Sequence, residues 1–256
     1  GRQREFRLPA GSNPWDARFI HRPGRSLIGV TSFLRNSLFV LDAATGETLR
    51  ELVLPEGTRP QGMALSGSHL WLALSGWNFS TGDYDPGQVI VLETADPDPV
   101  QWTIRQILAV RPNPQEILPD GTGQMHVLST GHYGRDEGCL QVFDAATGLL
   151  KKEILTGGSP RSLALDPVQG NIHLAGGDLH RCYHTGTLEP VALPEIVVAV
   201  TGTDIAALAI AAERRMLFAA DFAHDRILVL SLDGAGVLQV IPAGDGPLAL
   251  AAGTTW

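Results

Sequence analysis

Leu38-Phe39-Val40-Leu41-Asp42-Ala43-Ala44-Thr45-Gly46 recurs, with few changes, as Leu140-Gln141-Val142-Phe143-Asp144-Ala145-Ala146-Thr147-Gly148. The copies stand 102 residues apart, as two steps of a repeat of roughly 51 would require. Weaker copies fall where such a period predicts them, at Val89–Asp96 and at Ile227–Gly234. A second landmark repeats independently. Turn residues that open an alternating apolar segment occur at Pro14, Pro60, Pro114, Pro160, Asp204 and Pro247, in steps of 43 to 54 residues. A fixed period of this size marks an array of similar supersecondary units.

One unit holds four short strands. In the second they are Gln61–Leu65, His69–Leu74, Val89–Leu92 and Trp102–Leu108, each rich in aliphatic residues and bounded by turn formers. No window keeps a helical period with caps at both ends, and the Ala-rich stretch Asp204 to Arg215 reads as an inner strand and a turn. The fold class expected is therefore all-β, a six-bladed β-propeller, because a lone four-stranded sheet with two apolar faces needs a neighbour on each side. A β-sandwich rarely repeats at this period, and a β-helix repeats at half of it or less. Small residues on inner strands (Ala64, Ala164, Ala209 and Ala249) suit the crowding near an axis.

The Asp-x-x-Thr-Gly turn after an apolar strand, with Pro160-Arg161-Ser162-Leu163-Ala164-Leu165-Asp166 as a unit opening, resembles the YVTN-type repeat of bacterial propellers, related in turn to NHL repeats. The resemblance covers most of residues 6–250 and weakens in the fourth unit, where Leu179-His180-Arg181-Cys182-Tyr183-His184 replaces an apolar strand. The turn itself has a local cause: Asp caps it and Gly supplies a left-handed residue. The chain then forms a single domain, with units at 14–59, 60–111, 112–159, 160–203 and 204–246. A last, incomplete blade is expected from 247–256 together with 1–13, so that the two termini close the ring.

Composition narrows the function classes. The 256 residues carry 19 Lys+Arg against 27 Asp+Glu, a net charge of −8 with no basic run, which argues against nucleic acid as a partner. No apolar stretch is long enough for a transmembrane segment. Cys139 and Cys182 form no CxxC pair and are expected to be buried thiols. No leader is evident, so the chain is expected either to be cytoplasmic or to be periplasmic or secreted after leader removal; the long hairpins, the incomplete blade and the lack of a catalytic signature favour the latter.

In propellers of the resembled type, the loops entering each inner strand and those joining second to third strands share the binding face. This brings Trp15, Asp16, Gln61, Glu116 and Arg161 toward the axis, with Trp77, His132 and His224 from the longer loops, as ligand-binding candidates. Long loops on a rigid scaffold are where function concentrates. Charged residues around a channel also simply line water. No metal site and no cofactor are expected: His180 and His184 are four apart on a strand, about 13 Å, and the two carboxylates of Asp83-Tyr84-Asp85-Pro86-Gly87 lack the EF-hand spacing. Hydrolase and nucleotide-binding motifs are absent, and Cys182 as a nucleophile would need an electropositive setting. Two functions are expected: a non-catalytic binding module for a protein, peptide or glycan partner, held on the loop face or at the incomplete blade, and, as the resemblance to NHL-type propellers implies, an enzyme of lactonase or lyase type with a metal or an acid–base pair at the central channel. In its acid–base form the second would use Glu116 with His132 or His224 as acid and base and Arg161 beside an anionic intermediate.

Overall fold

Alternation along each strand sends successive side chains to opposite sheet faces, and in this chain both faces are apolar. In His69–Leu74, Leu70, Leu72 and Leu74 point one way and Trp71 and Ala73 the other, and all five are buried. A sheet with two such faces must lie between two others. The computed structural model, which describes residues 5–177, 179–192, 203–234 and 236–251, shows that arrangement.

Five antiparallel sheets follow one another along the chain. Four have four strands each, spanning residues 14–53, 60–110, 114–155 and 205–242; the fourth in order, 162–184, has three. Within each the strands pair in sequence order, interrupted only in the second sheet by a small hairpin, Trp77–Asn78 with Asp83–Tyr84. The first strands lie side by side, Pro14–Arg22 against Pro60–Ser66, then Pro114–Pro119, Ser162–Asp166 and Ile205–Ala211.

Four apolar layers fill the seams. Ile20, Leu38 and Val40 meet Leu70 and Leu72; Trp71 and Val89 meet Met125 and Phe143; Leu128 and Val142 meet Leu174 and Tyr183; Ala164 and Ala175 meet Leu208 and Leu217. The repeat turns have the expected cause. Asp42 Oδ1 accepts the N–H groups of Ala44 at 2.9 Å and Thr45 at 3.0 Å, Asp144 does the same for Ala146 and Thr147, and Gly46 (φ 79°) and Gly148 (φ 73°) take the left-handed positions. Asp204–Arg215 is a strand followed by a turn of 3₁₀ helix, as its sequence suggested.

The expected closing blade falls only partly within the described residues. Residues 5–13 and 247–251 contain no strand, Ala249 is exposed, and among the described residues no sheet forms beyond these five and the small hairpin, and the strand Ile205–Ala211 does not abut Pro14–Arg22 as the other first strands abut their neighbours. Residues 1–4 and 252–256 of the expected closing blade lie outside the described residues, as do 193–202 of the fourth unit. The N-terminal segment acts instead as a cover: Phe6 and Leu8 pack on Val30, Phe39 and Leu41, the face of the first sheet that no other sheet reaches. Covering apolar side chains requires no backbone partner, whereas an inner strand and an outer strand two places apart cannot bond each other. Phe19, on the same face but nearer the axis, stays 63% exposed.

Candidate functional site

Two constellations occupy the loop face, and they differ in kind. The first surrounds the axis and contains several of the expected ligand-binding residues. Asp16 Oδ2 accepts the Met63 N–H at 2.9 Å, Glu116 Oε2 accepts the Leu163 N–H at 2.6 Å, and Ser162 Oγ accepts the Leu208 N–H at 3.0 Å. Each is the third residue of its unit, and each reaches the first strand of the next sheet. At the one intervening seam this position is Gly62, where a Cβ would lie 2.4 Å from the Gln115 carbonyl oxygen. Each first strand is the edge of its own sheet and is paired on one side only, which leaves N–H groups on its free side open to such bonds. Thr31 and Thr130 add the reverse link, donating to the carbonyls of Gln61 and Pro160, both at 2.7 Å. Asp16 and Glu116 are therefore inter-blade fasteners.

Glu116 carries the largest perturbation there. Burial pushes its carboxyl up to about 7, against the Leu163 N–H and Ser162 hydroxyl bonds and the Arg18 charge, which favour ionisation; Asp16 opposes it. The residue as a whole is only half-buried, so the enclosure is local to the carboxylate. Gln61 is buried, with its amide nitrogen 3.4 Å from Asn113 Oδ1 and its oxygen unpartnered. Arg161 pairs with Asp204 at 3.1 Å. His224 bonds Asp221 at 3.0 Å, and the buried Asp221 also binds Arg226.

The second constellation is a belt of aromatic rings over the first three blades. Trp15 meets Phe33 (ring centroids 5.7 Å apart), Phe33 meets Phe79 (6.4 Å), Phe79 meets Trp77 (6.2 Å), Trp77 meets Tyr84 (4.9 Å), and Tyr84 meets His132 (6.4 Å) and Tyr133 (6.1 Å). Apart from the first pair these contacts are edge-to-face, the geometry the ring quadrupole favours. The small hairpin raises Trp77, Phe79 and Tyr84 above the blade. Gly76 (φ 72°) turns the chain into it, and Asn78 Oδ1 with Gly82 (φ 68°) forms its tip. His132 pins the hairpin to the third blade: Nε2 donates to the Tyr84 carbonyl at 3.0 Å while Nδ1 bonds Glu137, which holds the imidazole above its ordinary pKa. Gln115 donates to the Tyr133 hydroxyl at 2.8 Å. Trp15, Phe79 and Tyr133 remain 50%, 57% and 53% exposed, and Leu34 beside them 49%.

Of the expected candidates, Trp15, Trp77 and His132 share this belt; Asp16 and Glu116 face the axis; Gln61, Arg161 and His224 each have separate partners. Glu116, His132 and His224 bond different groups: the Leu163 N–H, Glu137 with the Tyr84 carbonyl, and Asp221. Phe33, Leu34 and Arg59 were missed by sequence reasoning. Arg59 lies over the Phe79 ring at 4.8 Å, and the Phe33-Leu34 pair in a polar loop was the available signal.

Cys182 has an imidazole partner, but the nearest is His173 on the paired strand rather than His180 or His184, with Sγ 3.8 Å from Nε2. His173 Nδ1 lies 3.3 Å from His180 Nε2. Burial pushes the thiol up to about 12 and the two imidazoles down to about 4 and about 3, which favours the neutral form of all three and disfavours a thiolate. Among the described residues no three His, Cys, Asp or Glu side chains are grouped as a metal ion would require, and no helix is long and apolar enough to cross a membrane.

A solved structure with the same arrangement is a chain of the crystal structure of a nidogen/laminin complex, with a TM-score of 0.61 over 88% of this chain and 80% of that one, at 12% identity. The fold is a β-propeller. No family model matches the chain, and no curated protein matches it in sequence. At that identity the likeness extends to the fold alone.

Proposed function

We propose that this propeller is a binding module that holds a protein partner on the loop face of its first three blades. The observation carrying the reading is the aromatic belt, where Trp15, Phe79, Tyr133 and Leu34 stay exposed together, in contrast to Phe39, Trp71, Trp102, Phe143 and Tyr183, which are buried between or within blades. Contiguous exposed apolar surface rimmed by polar groups marks an interaction site, and Trp and Tyr offer large contact area at small entropic cost. A glycan is the poorer fit. Sugars stack on open ring faces, and several faces of the belt are already met by a neighbour's edge. The solved relative comes from a protein–protein complex, and the repeat resembles YVTN- and NHL-type bacterial propellers; both support a binding role, and the second supports action in the periplasm or outside the cell. The test is photocrosslinking in native cells with a reactive amino acid at position 79, 133 or, on the opposite face, 147. Protein adducts from 79 and 133 and none from 147 are expected; adducts from 147 alone, or turnover of a small molecule lost in Glu116→Gln, would replace the reading.

A further inference from the structure

Beside the belt lies a recess of about 140 Å³, open to solvent, between the loop leaving the first blade and the base of the aromatic hairpin. Glu56 and Asp85 stand on its rim, with Thr58, Gly76 and Gln88 in its wall. Its shape is set by backbone. The Gly76 N–H donates to the Thr58 carbonyl at 3.0 Å, the Asp85 N–H donates to the Gly76 carbonyl at 2.8 Å, and a Cβ on Gly76 would fall 2.6 Å from the Asp85 carbonyl oxygen. Asn78 Nδ2 donates to Asp85 Oδ2 at 3.0 Å and so orients that carboxylate. Among the described residues neither Glu56 nor Asp85 forms an ion pair, whereas at the belt Asp83 pairs with Arg135 and Glu137 with His132. The nearest cation, Arg59, is committed to the Phe79 ring and to the Leu34 carbonyl at 3.1 Å.

Resting on the reading of the loop face as a protein-docking surface, we propose that the partner presents an arginine or lysine to this recess, its charged head between Glu56 and Asp85 and its flanking apolar residues across Phe79 and Trp77. Two carboxylates with open lone pairs suit a guanidinium fork or an ammonium. The aliphatic stem of either side chain packs on ring surface while its head stays polar, and a chain of net charge −8 draws a cationic segment toward itself.

The test is selection of random dodecapeptides displayed on phage against the immobilised full chain, followed by affinity measurement of the enriched peptides as synthetic probes. Enriched peptides should carry Arg or Lys next to apolar residues. They should bind E56Q/D85N about tenfold more weakly, lose affinity as salt is raised, and fail to bind Phe79→Ser. Circular dichroism and thermal melting confirm that each variant is folded. Peptides that require Phe79 but lack a basic residue, or that bind E56Q/D85N unchanged, overturn the recess while leaving the belt as the docking surface. Enrichment of nothing, or of peptides indifferent to Phe79→Ser, overturns both.

Discussion

The Glu116 carboxylate accepts the Leu163 N–H at 2.6 Å, so the third blade is fastened to the fourth by a group that ionises near neutrality. A carboxyl raised from 4.5 to about 7 holds its proton more tightly in the folded chain than in the unfolded one. Its contribution is therefore full below about pH 4.5 and is lost as pH rises through 7. Glu116→Gln, which keeps an acceptor without the charge, should gain stability relative to the parent at pH 8, on the order of 1–3 kcal/mol, and gain little at pH 5. Urea unfolding at the two pH values measures the difference; an equal effect at both would show that Glu116 does not titrate in this range.

The fourth blade should respond to acid in the opposite direction. His173 and His180 are held neutral by burial, at about 4 and about 3 in place of 6.5. Below pH 6.5 the unfolded chain takes up protons that the folded chain refuses, so stability present above 6.5 falls as pH drops toward 4. The variant His173→Gln should flatten that acid limb, leaving the neutral-pH melting temperature within a few degrees of the parent. A limb of unchanged slope would assign the acid sensitivity to other groups.

Gly62 is required by proximity, not by conformation. Ala at this position sets a Cβ 2.4 Å from the Gln115 carbonyl oxygen and must push two first strands apart. Gly62→Ala should cost about 2–3 kcal/mol or more. Gly11→Ala, at φ 75° but with nothing within 4 Å, should cost about 1 kcal/mol from backbone strain alone. Thermal melts of the two variants, compared side by side, test the ranking.

Cys139 and Cys182 are both buried thiols raised to about 12. An aromatic disulfide reagent at pH 8 should label neither in the native protein and both in denaturant. Rapid labelling of Cys182 in the native state, identified by peptide mapping, would mean that Cys182 and His173 form a thiolate pair.

Removing the ring of Phe79 should leave the blades intact, because its neighbours Trp77 and Phe33 are surface residues of the hairpin and loop. Phe79→Ser is expected to shift the melting temperature by only a few degrees, as surface substitutions do, while abolishing the partner adducts formed from position 133. A collapse of the fold would identify the belt as structural packing.

Much of the architecture was legible in residues alone. The copy of Asp42–Gly46 at Asp144–Gly148, and apolar runs such as His69–Leu74, dictate four-stranded sheets with two buried faces, and local turn chemistry and alternation are properties of neighbouring residues. Which loop-face residues meet is not local. Trp15, Phe33, Phe79, Tyr84 and Tyr133 come from three blades, and His173 reaches Cys182 only because strand register places them opposite each other. Asp16 and Glu116, chosen from the sequence as ligand-binding candidates, also fasten one blade to the next, since the N–H groups of Met63 and Leu163 lie on the unpaired edge of the neighbouring sheet, a proximity that no residue pattern announced. The period of the chain thus determined the kind of fold. Packing blade against blade decided what each polar side chain at the axis had to do, because a buried N–H or carboxylate takes its partner from whatever backbone the next blade brings within reach.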